Sequence, residues 1–305
     1  MLQINFIKNN CAKCAIYATY ILRIYCVYYV YCKITMVKVF TMAKGEVDIV
    51  RDWVMYHGYL FGFNNLYIID NFSRDGTYEA LLQLKKDYSI HVYQLPDYKK
   101  KGEYMTSLIK QFGKNEFVIP VDIDEFIVHY DKSTNEISCE NELINQTMQT
   151  LPKANAYKMN YITAYPSGPD GYERATVECK SGEYSDYGSL AKTFFYSSLF
   201  HGELDHGNHF NTTNYHLTTL CLVHYHCRNL EQMKKKIYNN VSGLGHNPFD
   251  LKHLKDIIQS NPNGEHHINH QINILEGTFT LPFDSLSSTK NLISFEPIIN
   301  KIKSL

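Results

Sequence analysis

From residue 37 onward, short apolar runs alternate with amphipathic stretches, and that alternation restricts the chain to one class of architecture. Residues 37–42, 65–69, 90–95 and 116–121 are apolar runs of strand length. Between them, 47–60 places Ile49, Trp53, Tyr56 and Leu60 three or four residues apart, 77–87 carries Leu81, Leu82 and Leu84, and 105–112 reads as a third helix. This order predicts an α/β fold: a parallel sheet with right-handed crossovers and helices on both faces. After about residue 137 the pattern changes to a mixed α+β half. A helix over 140–151 precedes strands at 156–164, 192–200 and 219–226, followed by helices at 230–241, 248–259 and 265–275. No repeat or low-complexity linker interrupts it, so 36–305 reads as a single domain.

The first 35 residues are a separate matter. Residues 15–32 are almost continuously apolar or aromatic, broken by Arg23. As a helix they would span roughly 27 Å, just short of a bilayer core, with a costly charge near the middle. One reading takes Met36 as the true start, placing the protein in the cytoplasm. The other takes the segment as a signal anchor that tethers it to a membrane; a soluble helix is the third option. The formal net charge of −1 gives no bulk attraction to nucleic acid, and no nucleic-acid partner is expected. The lysine runs 99–101 and 234–236 read as solvated faces. Cys11 and Cys14 alone make a weak half-motif, the four cysteines from Cys139 onward show no paired zinc spacing, and no disulfide framework or structural zinc is expected.

Two polar clusters terminate predicted strands, at 70–77 and 122–125, and ligands of open α/β sheets bind at the carboxyl ends of strands. A buried strand that delivers Asp122 and Asp124 offers oxygen ligands for Mg²⁺ or Mn²⁺. Such an ion neutralises a nucleoside-diphosphate leaving group. The bland alternative is a pair of solvated acids in a turn. A strand ending in Asp-x-Asp also opens aspartyl-phosphate phosphatases, but those place it on the first strand. In the 70–77 cluster, Asp70, Ser73, Asp75 and Gly76 form a tight turn able to hydrogen-bond a base or ribose, and Thr77 is positioned to cap the next helix. Eleven of the fourteen histidines lie at or beyond His201, so a nitrogen ligand would come from there, with His209 first and His224 second. His266, His267 and His270 read as an exposed helix face.

Residues 37–130 resemble the glycosyltransferase family 2-like group and, more closely, the family 92 type. The matching residues are Glu46, Trp53, His57, Gly62, the 70–77 turn and Asp122 to Phe126. Gly45 stands where Asn is usual. Downstream the resemblance continues through Lys192, the Gly207–His209 segment, His224-Tyr225 and a basic helix from Arg228, with Asn229 where Ser is usual. It implies a three-layer fold of the GT-A type, transfer of a hexose from a nucleotide-diphosphate sugar (a uridine diphosphate sugar first) to a glycan or glycoprotein hydroxyl, and inversion at the anomeric carbon. It also implies that a late histidine completes the metal shell and that Lys192 or Arg228 meets phosphate. Asp70, Ser73 and Asp75, with Glu46 behind them, would hold the nucleoside. Inversion needs a base, and Asp205 is the candidate by position, with Glu203 beside it. The rival of another class is a non-catalytic carbohydrate- or nucleotide-binding module on the same fold.

Overall fold

Trp53 and His57 explain how the first half is assembled. In the computed structural model, which describes residues 37–305 except 153, 206, 211, 213, 261, 263 and 284–290, both side chains are wholly buried. They lie on helix α1 (Val50–Phe61), which follows strand β1 (Val37–Ala43). The Trp53 indole donates to the Glu125 carbonyl at 3.1 Å and the Tyr56 hydroxyl to that of Ile127 at 2.6 Å. Helix α1 is therefore fastened to the strand that follows the carboxylate pair.

Strands β2 (Leu66–Asp70), β3 (His91–Gln94) and β4 (Phe117–Pro120) join β1 in the parallel order β3-β2-β1-β4. Helices α2 (Thr77–Tyr88) and α3 (Lys101–Phe112) complete the crossovers. Side chains of β1 alternate between two cores, as a period of two requires. Val37, Val39 and Ala43 pack with α1 and α2, whereas Phe40 and Met42 pack with Met105, Leu108 and Ile109 of α3. Helices thus cover both faces, as the sequence predicts.

The second half extends the same sheet with mixed polarity. Strands β5 (Glu125–Asp131), β6 (Glu136–Ser138), β7 (Ala156–Ala164), β8 (Ser181–Ser185), β9 (Lys192–Tyr196) and β10 (Tyr215–His224) continue it in the order β9-β7-β10-β5-β6. Strand β8 flanks β7 and pairs with the short β11 (Ile293–Ser294). Helices α4 (Asn141–Gln149), α5 (Ala175–Glu178) and α9 (Glu296–Ser304) lie on this half. Helices α6 (Leu230–Gly243), α7 (Leu251–Ile258) and α8 (Glu265–Leu275) share a separate core built from Met233, Ile237, Leu254, Ile268 and Ile272.

Several boundaries differ from the sequence expectation for local reasons. Helix α1 starts at Val50 because 46–49 form a turn in which the Glu46 carbonyl receives both Ile49 and Val50 amides. Gly76, at φ +98°, takes the position before α2; the Thr77 hydroxyl instead donates to Asp75 and accepts the Glu46 amide. Helix α3 begins four residues earlier than expected and takes in Lys101. Helix α7 starts at Leu251, where the Asp250 carboxylate accepts the His253 amide. Among the described residues no helix is long and apolar enough to cross a membrane, and residues 1–35 lie outside them.

His57 donates its Nδ1 proton to the Trp53 carbonyl, while its buried Nε2 has no partner. Burial pushes its pKa down to about 3, so the folded chain holds it neutral where the unfolded chain begins to bind a proton near pH 6.5. Its contribution is fully present above pH 6.5 and is lost as pH falls toward 3. We expect H57F to reduce the slope of unfolding free energy between pH 6.5 and 5 by up to about 1.4 kcal/mol per pH unit, measured by urea denaturation.

Candidate functional site

The chain moves outward from β1 to β2 and β3, then returns to place β4 on the other side of β1. Strand order therefore reverses between β1 and β4, and the carboxyl ends at such a reversal frame a crevice. A cleft of about 770 Å³ opens there, lined by residues that follow β1 (Lys44, Glu46) and β4 (Asp122, Asp124).

The backbone after β4 turns rather than continuing extended. The Glu125 amide donates to the Asp122 carbonyl at 3.1 Å, and the Glu125 carboxylate accepts the Asp122 amide at 2.7 Å. Val121 and Glu125 are buried either side of this turn, so both aspartates are held at the cleft floor. They have different partners. Asp122 accepts Lys101 at 2.6 Å, Lys192 at 3.0 Å and the Asn208 amide nitrogen at 3.0 Å. Burial alone would raise its pKa, but the ammonium groups of Lys101 and Lys192 hold it well below the usual carboxylate range. Lys192, 1% exposed, also reaches Glu125 at 3.0 Å and the Gly207 carbonyl at 2.8 Å.

Asp124 belongs to a different group. One donor atom each from Asp124, His224 and His226 lie within 4.8 Å of one another. His224 ends β10, which pairs with β5 so that His224 faces Glu125 across the ladder, and the Asp124 carbonyl accepts the Tyr225 amide at 2.9 Å. His226 lies just beyond the end of β10, and its ring centroid is 5.1 Å from that of His224. Lys236 of α6 also bonds Asp124, and it holds the carboxylate ionised against the cost of burial.

Other predicted residues take different places. Glu46 lines the cleft and is bound by the Arg228 guanidinium and by Gln232 at 3.1 Å. Asp70, Ser73 and Asp75 are not among the described cleft-lining residues; they brace the loop behind it. Asp70 accepts the Ser73 amide and Gln94, the Ser73 hydroxyl accepts the Gly45 amide, and Asp75 accepts Thr77 and Lys235. Gly45 has φ +70°, and a Cβ there would lie 2.7 Å from Lys235 Cε, so the glycine lets that lysine pass to Asp75. Asp205 lines the cleft, with Oδ1 fixed by the Gly207 amide at 2.9 Å and the His209 amide at 2.7 Å. His209 also lines it but stands outside the Asp124 group, and its Nδ1 is buried without a partner.

Lys101, Lys236, His226 and Asn208 are site residues that sequence reasoning missed. Both lysines sit in runs that looked like solvated faces, yet Lys101 is only 5% exposed. The signal for His226 was its two-residue spacing from His224. His267 lines the cleft too, although it looked like part of an exposed helix face.

No family model matches the sequence, and no curated protein matches it. Among solved structures, S. aureus TarS 1–349 in complex with UDP-GlcNAc is similar over 79% of this chain and 72% of that one, at 11% identity and TM-score 0.38. HddC from Yersinia pseudotuberculosis is similar over 61% of this chain and 92% of that one, at 10% identity and TM-score 0.35. A putative glucose-1-phosphate thymidylyltransferase from Bacillus anthracis is similar over 53% and 72%, at 11% identity and TM-score 0.29. What the cleft can do follows from its own residues.

Arg228 is 2% exposed and reaches Asp48 as well as Glu46. Removing one member of such a pair leaves a buried charge uncompensated. R228A is expected to cost about 3–5 kcal/mol in urea denaturation, whereas the double variant E46M/R228M should cost less than either single change.

Proposed function

We propose that the protein is a metal-dependent glycosyltransferase that moves a hexose from a nucleotide-diphosphate sugar, with a uridine diphosphate sugar as first choice, to a glycan hydroxyl. One observation carries this: a carboxylate–imidazole group and a carboxylate bound by two lysines converge in a single cleft at the reversal of strand order. Asp124, His224 and His226 suit a divalent ion, and the imidazole pair favours Mn²⁺ over the harder Mg²⁺. A bound ion would neutralise charge on the departing nucleoside diphosphate. Asp122 supports it from the same floor, and His209 remains the reserve ligand on the Asp122 side.

The remaining roles fall to the chain's own groups. Lys101 and Lys192 lie where the diphosphate oxygens would come, with Asp122 fixing their direction. Glu46, set by Arg228, faces the nucleoside side beside Lys44. Asp70, Ser73 and Asp75 act on the nucleoside by shaping the loop behind Gly45. Asp205 serves as base. Its Oδ1 is committed to backbone amides, which leaves Oδ2 to take the proton of the acceptor hydroxyl as that oxygen attacks the anomeric carbon from the side opposite the leaving group. Resemblance to the family 92 type supports the same assignment.

The test is turnover of a panel of nucleotide sugars with Mn²⁺, read as free nucleoside diphosphate. D124A and the double variant H224A/H226A should lose on the order of 10²-fold or more in kcat/KM, and chelation should abolish the remainder. Binding of a nucleotide sugar without turnover, across a panel of glycan acceptors, would assign the chain to the binding-module class. Failure to bind any nucleotide sugar would sink the transferase reading.

A further inference from the structure

Lys236 lies where a divalent ion would have to compete with it. Its ammonium bonds Asp124 Oδ2, the atom that also faces His224 Nε2 at 3.6 Å, and it lies 3.1 Å from His226 Nδ1. A lysine ammonium only donates, so His226 Nδ1 must present its lone pair to it. Two of the three residues able to hold an ion thus already give lone pairs to one side chain.

That side chain belongs to α6, whose apolar face packs in a core separate from both cores of the sheet. Near the cleft, α6 meets the sheet through polar contacts: Lys235 to Asp75, Gln232 to the Gly45 carbonyl, Asn239 to the Lys44 carbonyl, and Lys236 to Asp124. Lys236 lines the same cleft as Lys101 and Lys192. Those two are already matched by Asp122 and Glu125, so Lys236 is the cation set free when an ion takes Asp124.

On the donor reading above, we propose that Lys236 is an exchangeable counter-ion: it holds Asp124 and His226 in the free protein, then yields them to the divalent ion and turns to a diphosphate oxygen of the donor. No covalent bond changes; one ammonium exchanges a carboxylate for a phosphate. Ion and nucleotide therefore bind cooperatively, because each removes a partner that the other would have to displace.

The experiment is titration of Mn²⁺ into the full-length protein with and without UDP, with free ion followed by electron paramagnetic resonance. In the wild type, UDP should tighten Mn²⁺ binding. K236M should bind Mn²⁺ alone roughly tenfold more tightly while the tightening by UDP shrinks by a similar factor, and K236R should behave like the wild type. K234M, which removes a neighbouring α6 charge paired with the exposed Glu231, should leave Mn²⁺ binding unchanged; an equal gain there would reduce the effect to general electrostatics and overturn the proposal. So would a K236M that gains no Mn²⁺ affinity while the UDP effect persists. A wild type indifferent to UDP, with K236M still gaining, would overturn the donor reading and the transfer to phosphate together. K236Q replaces K236M should the latter fail to fold.

Discussion

The structure depends on charge taken out of water at the carboxyl edge of the sheet. Glu46, Asp124, Glu125, Lys101, Lys192 and Arg228 are all buried there, and each has an oppositely charged partner. A buried ion is tolerated only with a partner in good geometry, so these pairs dictate how the two halves meet. Arg228 reaches Glu46 across 182 positions of sequence, and Lys192 reaches Asp122 across 70. Hydrophobic burial assembles each layer, but it is non-directional. The ion pairs fix register between layers, which is what a binding cleft requires.

This also explains why separate sequence signals occur together. Trp53 and His57 are far from the carboxylates in sequence, yet Trp53 holds the Glu125 carbonyl and the His57 ring lies 5.7 Å from that of Phe126. The helix and the Asp122–Phe126 segment are therefore parts of one joint. Alternation of apolar runs made the parallel half of the fold legible, because a buried strand is a local pattern. The turn at 122–125 was not, since both an extended and a turned backbone deliver two carboxylates to one end. Strand β5 was missed with it.

The limits of legibility in the site have a similar origin. Asp122, Asp124, Lys192, Glu46, Asp205, His209 and His224 all reach the cleft, and each stood near the end of a predicted strand or in a recognisable motif. Asp70, Ser73 and Asp75 looked like ligands because short polar side chains near a glycine bind ligands and brace loops equally well. Only their partners distinguish the two roles, and those partners lie on other elements: Gln94 at the end of β3, Lys235 on α6. Lys101 and Lys236 failed the opposite way. Successive lysines point in different directions, so composition described the exposed Lys99 and Lys100 and concealed the buried Lys101, and it could not single out Lys236 from its half-exposed neighbours.

Gly45 leaves room for a contact between two elements. A side chain there would collide with Lys235 unless the lysine moved, and Lys235 supplies the charge that holds Asp75. A residue with a polar side chain could brace the 70–77 loop from its own position. With glycine, that brace comes instead from the Gly45 amide, which donates to the Ser73 hydroxyl, and from the lysine that crosses above it. The loop is thus supported from α6, the same helix that brings Lys236 to Asp124. Any displacement of α6 would then act on the 70–77 loop and the Asp124 group at once. That coupling uses the space left by the missing Cβ, and it makes α6 the element that links the loop behind the cleft to the carboxylates on its floor.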